Sequence, residues 1–232
     1  MIMNKFHPLT ITSINRLTAD AVAISFNVSN NTLFQFEAGQ YITIKKDING
    51  EEVRRAYSIC SMNSEGVTIG VKKVETGRMS SFLTQSVKEG DVLNVMPPSG
   101  NFVIKGDNKH IVGICAGSGV TPIIAMIKTE LAKQCDAKFT LIYGNKTKDS
   151  SMFAEELHQL QINNSDRLKI HNAYSREGVA GAINGRLDKN TIQQLLNTFM
   201  SLKTADAYFI CGPGELIDNT NELLLLNNIN QK

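Results

Sequence analysis

The sequence predicts two domains of different class, an antiparallel β domain followed by an α/β domain with a parallel sheet. From Leu9 to Val103, short runs are β-branched or alternate apolar and polar residues, as strands with one solvated face do. From His110 onward, apolar strand patterns alternate with helix patterns, which is typical of a parallel sheet. Gly, Asp and Asn cluster at Lys105–Asn108, so we expect the domains at 1–105 and 106–232.

Runs with the composition of strands fill the first half and are separated by turn signals. The runs are LTITSI, AVAISFNV, YITIKK, VTIGVKKV and DVLNVM. Asn30-Asn31, Asn49-Gly50 and Glu89-Gly90 mark turns, since Asn and Gly tolerate the backbone angles that tight turns need. RRAYSIC, residues 54 to 60, occupies a strand position, and MSSFLTQSV, residues 79 to 87, is the one helix-like piece. Short turns between strands predict antiparallel pairing.

The second half repeats an apolar strand followed by a helix. The strand patterns are HIVGICAG, KFTLIYG, LKIHNAYS and AYFICGPG, and the helix patterns are TPIIAMIKTELAKQ, SSMFAEELHQL, IQQLLNTFM and ELIDNTNELLLL. Because parallel strands need crossover connections, this alternation predicts a doubly wound parallel sheet with helices on both faces.

Composition and charge exclude several classes of function. The 232 residues carry a formal net charge of +2, with lysines dispersed among carboxylates, so neither nucleic acid nor a membrane surface is an expected partner. The start has no signal-peptide core, and the longest apolar run, Ile111–Ala116, is too short to span a bilayer, so we expect a cytoplasmic protein. No metal site is expected, because the cysteines form no C-x-x-C pair and the histidines show no ligand spacing. These residues are Cys60, Cys115, Cys135, Cys211, His7, His110, His158 and His171.

A phosphate-site pattern follows the first strand of the second half, in CAGSGVTP, residues 115 to 122. Gly117 and Gly119 let the backbone approach a ligand closely, and Pro122 lies in the first helical turn, where it loses no hydrogen bond. Free amides and the helix dipole favour a diphosphate there. The third glycine of G-x-G-x-x-G is missing, so from the pattern alone an ordinary turn is an equal alternative. Its position at the start of an α/β domain favours a nucleotide.

Five ordered motifs carry a resemblance to a known family. They are Arg55-x-Tyr57-Ser58, Gly77-Arg78-Met79-Ser80, Gly117-Ser118-Gly119-Val120-Thr121-Pro122, Ser175-Arg176-Glu177 and Cys211-Gly212-Pro213. Over nearly its whole length the chain resembles the ferredoxin–NADP reductase superfamily. It is most similar to the reductase components of bacterial multicomponent oxygenases, of the phenylacetyl-CoA epoxidase type, and to the reductase part of flavohaemoglobins. The resemblance implies a six-stranded antiparallel FAD-binding barrel at 1–105 and an NAD(P)-binding domain at 106–232.

In RRAYSIC the resemblance implies contacts to the flavin. Tyr57 would stack on the isoalloxazine, Ser58 would place its hydroxyl at the flavin N5, and Arg55 would hold the diphosphate with its planar fork. Arg55 and Tyr57 are two residues apart and therefore share a strand face. Taken alone, the pattern also describes a sheet-surface arginine and a half-buried tyrosine.

A second set of FAD contacts is implied around the helix MSSFLTQSV and the strand before it. These residues are Gly77, Met79, Ser80, Ser81, Val71 and Lys72. Amides at the helix start, with the hydroxyl of Ser80 or Ser81, would complete the diphosphate cradle. An ordinary helix N-cap is the alternative there, and the lysine on the strand has the alternative of a solvated side chain. Some relatives hold FMN, although the phosphate positions favour FAD.

In the nucleotide domain the resemblance implies contacts to the nicotinamide. Thr121 would place a hydroxyl near the nicotinamide and the flavin, and Cys211 would place a thiol beside the reacting carbon. Gly212 and Pro213 would shape the turn after the strand. Free cysteine is commonly buried as a small apolar side chain, which is the alternative for Cys211.

The residues Ser175 and Arg176 predict NADPH as the preferred donor. A hydroxyl and a guanidinium after a strand of the parallel sheet can bind a 2′-phosphate. Neighbouring Glu177 and the lack of a matched second basic residue make the expected preference small. NADH remains an alternative donor.

The predicted function is an FAD-dependent NAD(P)H reductase that passes hydride from NADPH to FAD and single electrons to an iron–sulfur or oxygenase partner. A reductase of free flavin or a small acceptor, and a nucleotide-binding regulatory module without electron transfer, are the alternatives. Relatives have a last strand after the final helix, which is missing here. We therefore expect the chain to be part of a longer polypeptide with a [2Fe–2S] ferredoxin domain, whose C-x4-C-x2-C…C ligands are absent from these residues. A short reductase that ends at the helix is the alternative.

Overall fold

The computed structural model describes residues 5–28, 31–133, 135–199 and 202–229. Two compact units divide the chain, one of Met1–Ile104 with Ile124–Thr129 and the other of Lys105–Ile123 with Glu130–Lys232. Asn30 of the predicted Asn30-Asn31 turn and Met200 at the end of a predicted helix lie outside the described residues.

The first unit contains an antiparallel sheet. Its strands are β1 (His7–Thr18), β2 (Ala21–Phe26), β3 (Tyr41–Ile48), β4 (Glu51–Ser58), β5 (Thr68–Lys72) and β6 (Val92–Ser99), and its helix is α1 (Arg78–Gln85). The strand order is β4-β3-β6-β1-β2-β5, and the pairs are antiparallel. The prediction of a six-stranded antiparallel barrel is confirmed.

The two outer strands of this sheet meet just beyond the end of β4. Ile59 bridges to Ile69 of β5, and the Cys60 N–H donates to the Thr68 carbonyl at 2.8 Å. Ile59 and Ile69 are fully buried in one apolar core, so curling the sheet places its apolar face inside. The Asn49-Gly50 turn has positive φ at both residues, as a two-residue hairpin requires. The six-stranded sheet therefore closes around one apolar core.

The second unit is a parallel sheet with helices. Its strands are β7 (His110–Ala116), β8 (Lys138–Asn145), β9 (Leu168–Tyr174), β10 (Ile183–Asn184) and β11 (Ala207–Cys211), and the helices along this part of the chain are α2 (Val120–Ala132), α3 (Ala154–Asn163), α4 (Lys189–Thr198) and α5 (Gly214–Leu226). The strand order is β10-β9-β8-β7-β11, and every pair is parallel. The α/β prediction is confirmed. Among the described residues no helix combines the length and apolar character that crossing a membrane requires.

Helix α3 begins later than the pattern SSMFAEELHQL predicts. Ser150 lies in a 3-10 turn, where its N–H donates to the Thr147 hydroxyl and its own hydroxyl accepts from the Thr147 N–H. Phe153, just before α3, has the left-handed φ of 58°. Side chains that bond to the local backbone compete with helix formation. The chain therefore turns before it enters α3, and the prediction of a helix from Ser150 is wrong by about one turn.

Candidate functional site

The end of β4 carries the first group of predicted site residues. Val53, Arg55 and Tyr57 lie on one face of the strand by alternation. Val53 is buried in the barrel core, and Tyr57 is half-buried against that core. Arg55 is exposed. The strand thus anchors a ring on the core and extends a cation from the same face.

Tyr57 and Arg55 interact electrostatically. Burial raises the pKa of Tyr57 to about 12, and the nearby positive charge of Arg55 opposes that rise. The Arg55 Nη1 donates to the Arg54 carbonyl at 2.7 Å, which fixes the guanidinium and leaves its other N–H groups available. Ser58 is half-buried at the last position of β4, opposite Tyr41 in the register. The three residues of the motif are therefore held close together by one strand.

Helix α1 begins beside this strand. It packs against β3, β4 and β5, and Arg78 forms an ion pair with Glu51 of β4. Its N-cap is Gly77, which makes no side-chain cap, so the N–H groups of the first turn lack helical partners. Met79 is buried and anchors that turn in the core. The free amides therefore begin a helix that packs on the strand carrying the motif, and Arg78 of this helix reaches the first residue of that strand.

The hydroxyl of Ser80 shapes the turn that precedes α1. It accepts from the Val74 N–H at 3.1 Å and donates to the Gly77 carbonyl at 3.2 Å. A Cβ on Gly77 would lie 2.4 Å from this oxygen, so the turn needs glycine. Because a hydroxyl has one hydrogen, Ser80 has none left for a phosphate. Of the two serines predicted to donate, half-buried Ser81 is the one whose hydroxyl suits that role.

Val71 and Lys72 lie on β5, at the other end of the sheet. Val71 is fully buried in the core, and the Lys72 ammonium lies 3.6 Å from the Asp20 carboxylate. β5 pairs with β2 along its whole length, and on its other side only the bridge at Ile69 is formed among the described residues. A ligand can therefore contact the backbone groups of β5 beyond that bridge, rather than the side chains of Val71 and Lys72.

In the second unit, the loop Gly117–Gly119 lies against the end of β11. A Cβ on Gly119 would lie 2.1 Å from the Cys211 carbonyl oxygen, far closer than atoms allow, so this position requires glycine. Gly117 adopts a left-handed φ of 56°, which favours glycine. The glycines thus set the close approach between two strand ends, a geometry that suits a diphosphate over the loop.

Two predicted residues start helix α2. The Thr121 hydroxyl donates to the Ser118 carbonyl at 2.9 Å, and Thr121 is buried. Its oxygen keeps lone pairs that can accept from an amide such as that of nicotinamide. Pro122 is the third residue of α2, where the missing N–H breaks no helical bond. Both residues therefore fit the predicted loop.

Cys211 ends β11, directly opposite Cys115 of β7 in the register. Burial raises the pKa of the Cys211 thiol, and burial together with the neighbouring Cys211 raises the pKa of the Cys115 thiol. At neutral pH both are therefore uncharged thiols. Cys211 is half-buried, and the Gly212-Pro213 turn after it leads into α5, whose N-cap is Pro213. The thiol can contact a ligand as a small, soft, neutral group.

Sequence reasoning missed Tyr143 and Asn145 at the end of β8. The buried Tyr143 hydroxyl lies 3.1 Å from the Gly117 carbonyl and 3.3 Å from that of Met152, which ties the glycine loop to the next strand. Burial raises the pKa of Tyr143. Both polar side-chain atoms of Asn145 are buried, and its side chain lies beside the Tyr143 hydroxyl, where it lowers the pKa of that phenol. A tyrosine inside an apolar strand, which usually needs a partner for its hydroxyl, was the available signal.

The predicted residues of this unit, together with Asn145, lie at the ends of four strands in spatial order. Cys211 ends β11, the glycine loop follows β7, Asn145 ends β8, and Ser175-Arg176 follow β9. Carboxyl ends of parallel strands share one edge, and adjacent strands are about 4.8 Å apart, so the row spans roughly 14 Å. Ser175 and Arg176 are exposed. A row of this length, with a glycine cradle and a buried amide, fits an extended dinucleotide.

Comparisons with known proteins match this arrangement. The family profile described as "Oxidoreductase FAD-binding domain" matches residues 8–104, and the one described as "Oxidoreductase NAD-binding domain" matches residues 114–222. The chain belongs to the ferredoxin–NADP reductase family. Its two parts are therefore an FAD-binding domain and an NAD-binding domain of the oxidoreductase type.

Two relatives of this chain are named as parts of an epoxidase and of a monooxygenase. It is 35% identical over 229 residues to one subunit of the 1,2-phenylacetyl-CoA epoxidase of Escherichia coli strain K12, covering 96% of this chain and 64% of the relative. It is 31% identical over 222 residues to the ferredoxin reductase component of 3-ketosteroid-9-alpha-monooxygenase from Rhodococcus rhodochrous, covering 93% of this chain and 60% of the relative. The chain spans less than two thirds of the length of either relative.

Solved structures share the fold. A ferredoxin NADP+ reductase from Neisseria gonorrhoeae with bound FAD and NADP superposes with a TM-score of 0.79 at 21% identity, covering 95% of this chain and 91% of that one. The cytochrome b5 reductase domain of Ulva prolifera nitrate reductase gives a TM-score of 0.82 at 21% identity, covering 99% and 95%. These likenesses support the two-part architecture.

Proposed function

We propose that this reductase takes hydride from NADPH onto FAD and delivers single electrons to an iron–sulfur or oxygenase partner. The observation that carries the proposal is the end of β4, where a ring, a hydroxyl and a guanidinium lie within Arg55–Ser58, on a strand against which helix α1 packs. Such a set suits a flat ring system with a charged tail. Bound FAD would supply the chemistry, because a flavin can accept one hydride, which carries two electrons, and can release those electrons one at a time.

The proposed FAD contacts divide between ring and diphosphate. Tyr57 supplies an apolar face fixed against the core, and Ser58 supplies a hydroxyl that both donates and accepts at the N5 edge. Arg55 holds the diphosphate through the N–H groups that Arg54 does not occupy. Ser81 and the free amides at the start of α1 complete the cradle.

The proposed nucleotide contacts follow the strand ends of the second unit. Gly117 and Gly119 receive the diphosphate, Thr121 accepts from the carboxamide, and Cys211 lies beside the nicotinamide ring. The neutral thiol orients the ring without attacking it, because a nucleophile would need the thiolate. The chain thus contributes orientation and electrostatics, and it needs no acid or base of its own.

The proposed partner is a [2Fe–2S] ferredoxin domain, in the same polypeptide or separate, or an oxygenase component. The two relatives from oxygenase systems, one belonging to an epoxidase and the other named as a monooxygenase reductase component, support this class of partner. Electron-transfer contacts are small and weakly specific, so the acceptor has to be identified by kinetics.

The test of the hydride step is anaerobic stopped-flow reduction of the FAD-loaded protein by NADPH. Ser58→Ala should slow flavin reduction by about three- to tenfold, since a hydrogen bond between neutral groups is worth about 0.5–1.5 kcal/mol. Ser13→Ala, on β1 of the same sheet, is the matched control and should reduce at the wild-type rate. Equal rates in the wild type and Ser58→Ala would remove the proposed N5 contact.

The reduced wild-type protein can also be used to test which acceptor receives the electrons. Once reduced by NADPH, it should transfer electrons faster to a plant-type [2Fe–2S] ferredoxin than to free FMN. A faster transfer to free FMN would instead indicate a reductase of small acceptors. A protein that stays colourless and takes up no FAD would indicate a regulatory nucleotide-binding module and overturn the proposal.

A further inference from the structure

The carboxyl edge of the parallel sheet brings a second cation to Ser175 and Arg176. The Ser175 N–H donates to the Asn145 carbonyl at 3.0 Å, and the Arg176 N–H donates to the Lys146 carbonyl at 2.9 Å. These bonds extend the pairing of β8 and β9 past Asn145↔Tyr174, so Lys146 lies beside Ser175. In the sequence these two positions are far apart, which concealed the pairing.

The donors at this edge are available to a ligand. Lys146, Ser175 and Arg176 are all exposed. Within the described ranges, no ion pair involves Lys146 or Arg176, and no hydrogen bond involves the Ser175 hydroxyl. Two cations and a hydroxyl thus lie at neighbouring positions of this sheet edge, and within the described ranges their side chains have no internal partner.

The nearest carboxylate is held by the backbone. The Glu177 Oε2 accepts from the Lys148 N–H at 2.8 Å. The turn that contains Lys148 is further fixed, because the Thr147 N–H donates to the Ser150 hydroxyl at 3.0 Å. Glu177 therefore neutralises part of the local charge, while its carboxylate is directed to the backbone and the segment after Lys146 is rigid.

We propose that Lys146 is a specificity-determining residue that binds the 2′-phosphate of NADPH together with Arg176 and Ser175. This inference rests on the proposed nucleotide function. A phosphate monoester carries a charge between about −1.5 and −2 at neutral pH, which one arginine does not neutralise. Two cations match it, and the guanidinium adds a planar fork that grips two oxygens. With Glu177 close by, the preference for NADPH stays moderate.

The test is calorimetric titration of the FAD-loaded protein with adenosine 2′,5′-bisphosphate and with 5′-AMP. These probes require no electron flow. The wild type should bind the bisphosphate about tenfold more tightly, as one or two charge-assisted contacts predict. Lys146→Gln and Arg176→Gln should each lose several-fold of that preference, and the double variant nearly all of it. Binding of 5′-AMP should stay the same in all of them.

The matched control is Lys138→Gln. Lys138 is exposed on the same strand, at its amino end, so the change in net charge is identical while the position is at the opposite edge of the sheet. If the bisphosphate preference survives in Lys146→Gln, or falls equally in Lys138→Gln, the role of Lys146 is wrong. Equal affinity of the wild type for both probes would overturn this inference alone. Failure of the wild type to bind either probe or NADPH would overturn the proposed nucleotide function.

Discussion

In the barrel unit, Arg55, Tyr57 and Ser58 lie on one strand, whereas the candidate residues of the α/β unit follow the ends of four strands. In the barrel, strand alternation alone puts a cation and a ring on one face. In the α/β unit, a parallel sheet collects residues from distant parts of the chain at one edge. The first kind of site can be found in a short motif, and the second depends on register. The two sites should therefore respond differently to single substitutions.

The largest expected effect is that of Gly119→Ala on the use of NADPH. The new Cβ would meet the Cys211 carbonyl at 2.1 Å, and both are backbone-defined positions, so the loop and the end of β11 must separate. Displacements of about 1 Å can reduce a rate by about 100-fold. Anaerobic reduction of FAD by NADPH should fall by this order, while the flavin content stays at the wild-type value because the barrel is untouched.

A matched control for that change is Gly178→Ala. Its Cβ would have Asn184 Oδ1 as nearest neighbour at 3.9 Å, an ordinary contact, so the reduction rate should change little. Loss of FAD together with NADPH reactivity in Gly119→Ala would contradict the separation of the two sites.

The next effect in size belongs to the barrel. Arg55→Ala should weaken FAD binding by about tenfold or more, because a hydrogen bond to a charged group is worth about 1.5–3 kcal/mol. Arg54→Ala is the matched control, since Arg54 is the exposed neighbour on the other strand face and pairs with Glu52 at 2.6 Å. Equilibrium dialysis of FAD measures both variants. Unchanged FAD affinity in Arg55→Ala, or an equal loss in Arg54→Ala, would remove the diphosphate assignment.

The fold was predictable because most elements carry a clear local pattern. The segment RRAYSIC forms β4 despite its arginines, because Val53 is buried and Tyr57 packs on the same core. The start of α3 was missed because the hydroxyls of Thr147 and Ser150 bond the local backbone in place of a helix. The short strand β10 has two residues, too few for any periodicity.

The candidate sites were predictable where chemistry is local in sequence. The motif Tyr57-Ser58 could be recognised directly in the sequence. Which of Ser80 and Ser81 has a hydroxyl free to donate to a phosphate could not be predicted, because this depends on the hydrogen bond from the Val74 N–H to the Ser80 hydroxyl. Lys146 was missed because only the β8–β9 register brings it to Ser175. Tyr143 of β8 reaches Gly117, which follows the neighbouring strand β7, in the same way. Contacts set by topology require the three-dimensional structure.

The smallest expected effect concerns Tyr57 and alkaline pH. Its folded-state pKa of about 12 lies above the ordinary value of 10, so above pH 10 the unfolded chain releases this proton before the folded one does. The stability that the buried neutral phenol contributes is thus complete below pH 10 and is lost as pH rises through 12, by at most about 3 kcal/mol. FAD stacked on the Tyr57 ring would bury the ring further, so stability would still be lost, and not gained, as pH rises above 10.

Urea unfolding of the wild type and Tyr57→Phe, with a fixed excess of FAD, measures that loss. The difference in unfolding free energy between the two proteins should be constant below pH 10 and then shift in favour of Tyr57→Phe as pH rises. The phenols of Tyr143, Tyr174 and Tyr208, whose pKa values burial also raises, are present in both proteins and cancel in the difference. Parallel curves up to pH 12 would mean that the Tyr57 hydroxyl is solvated in the folded protein. The barrel site would then lack the fixed, core-anchored ring that distinguishes it from the strand-end site of the α/β unit.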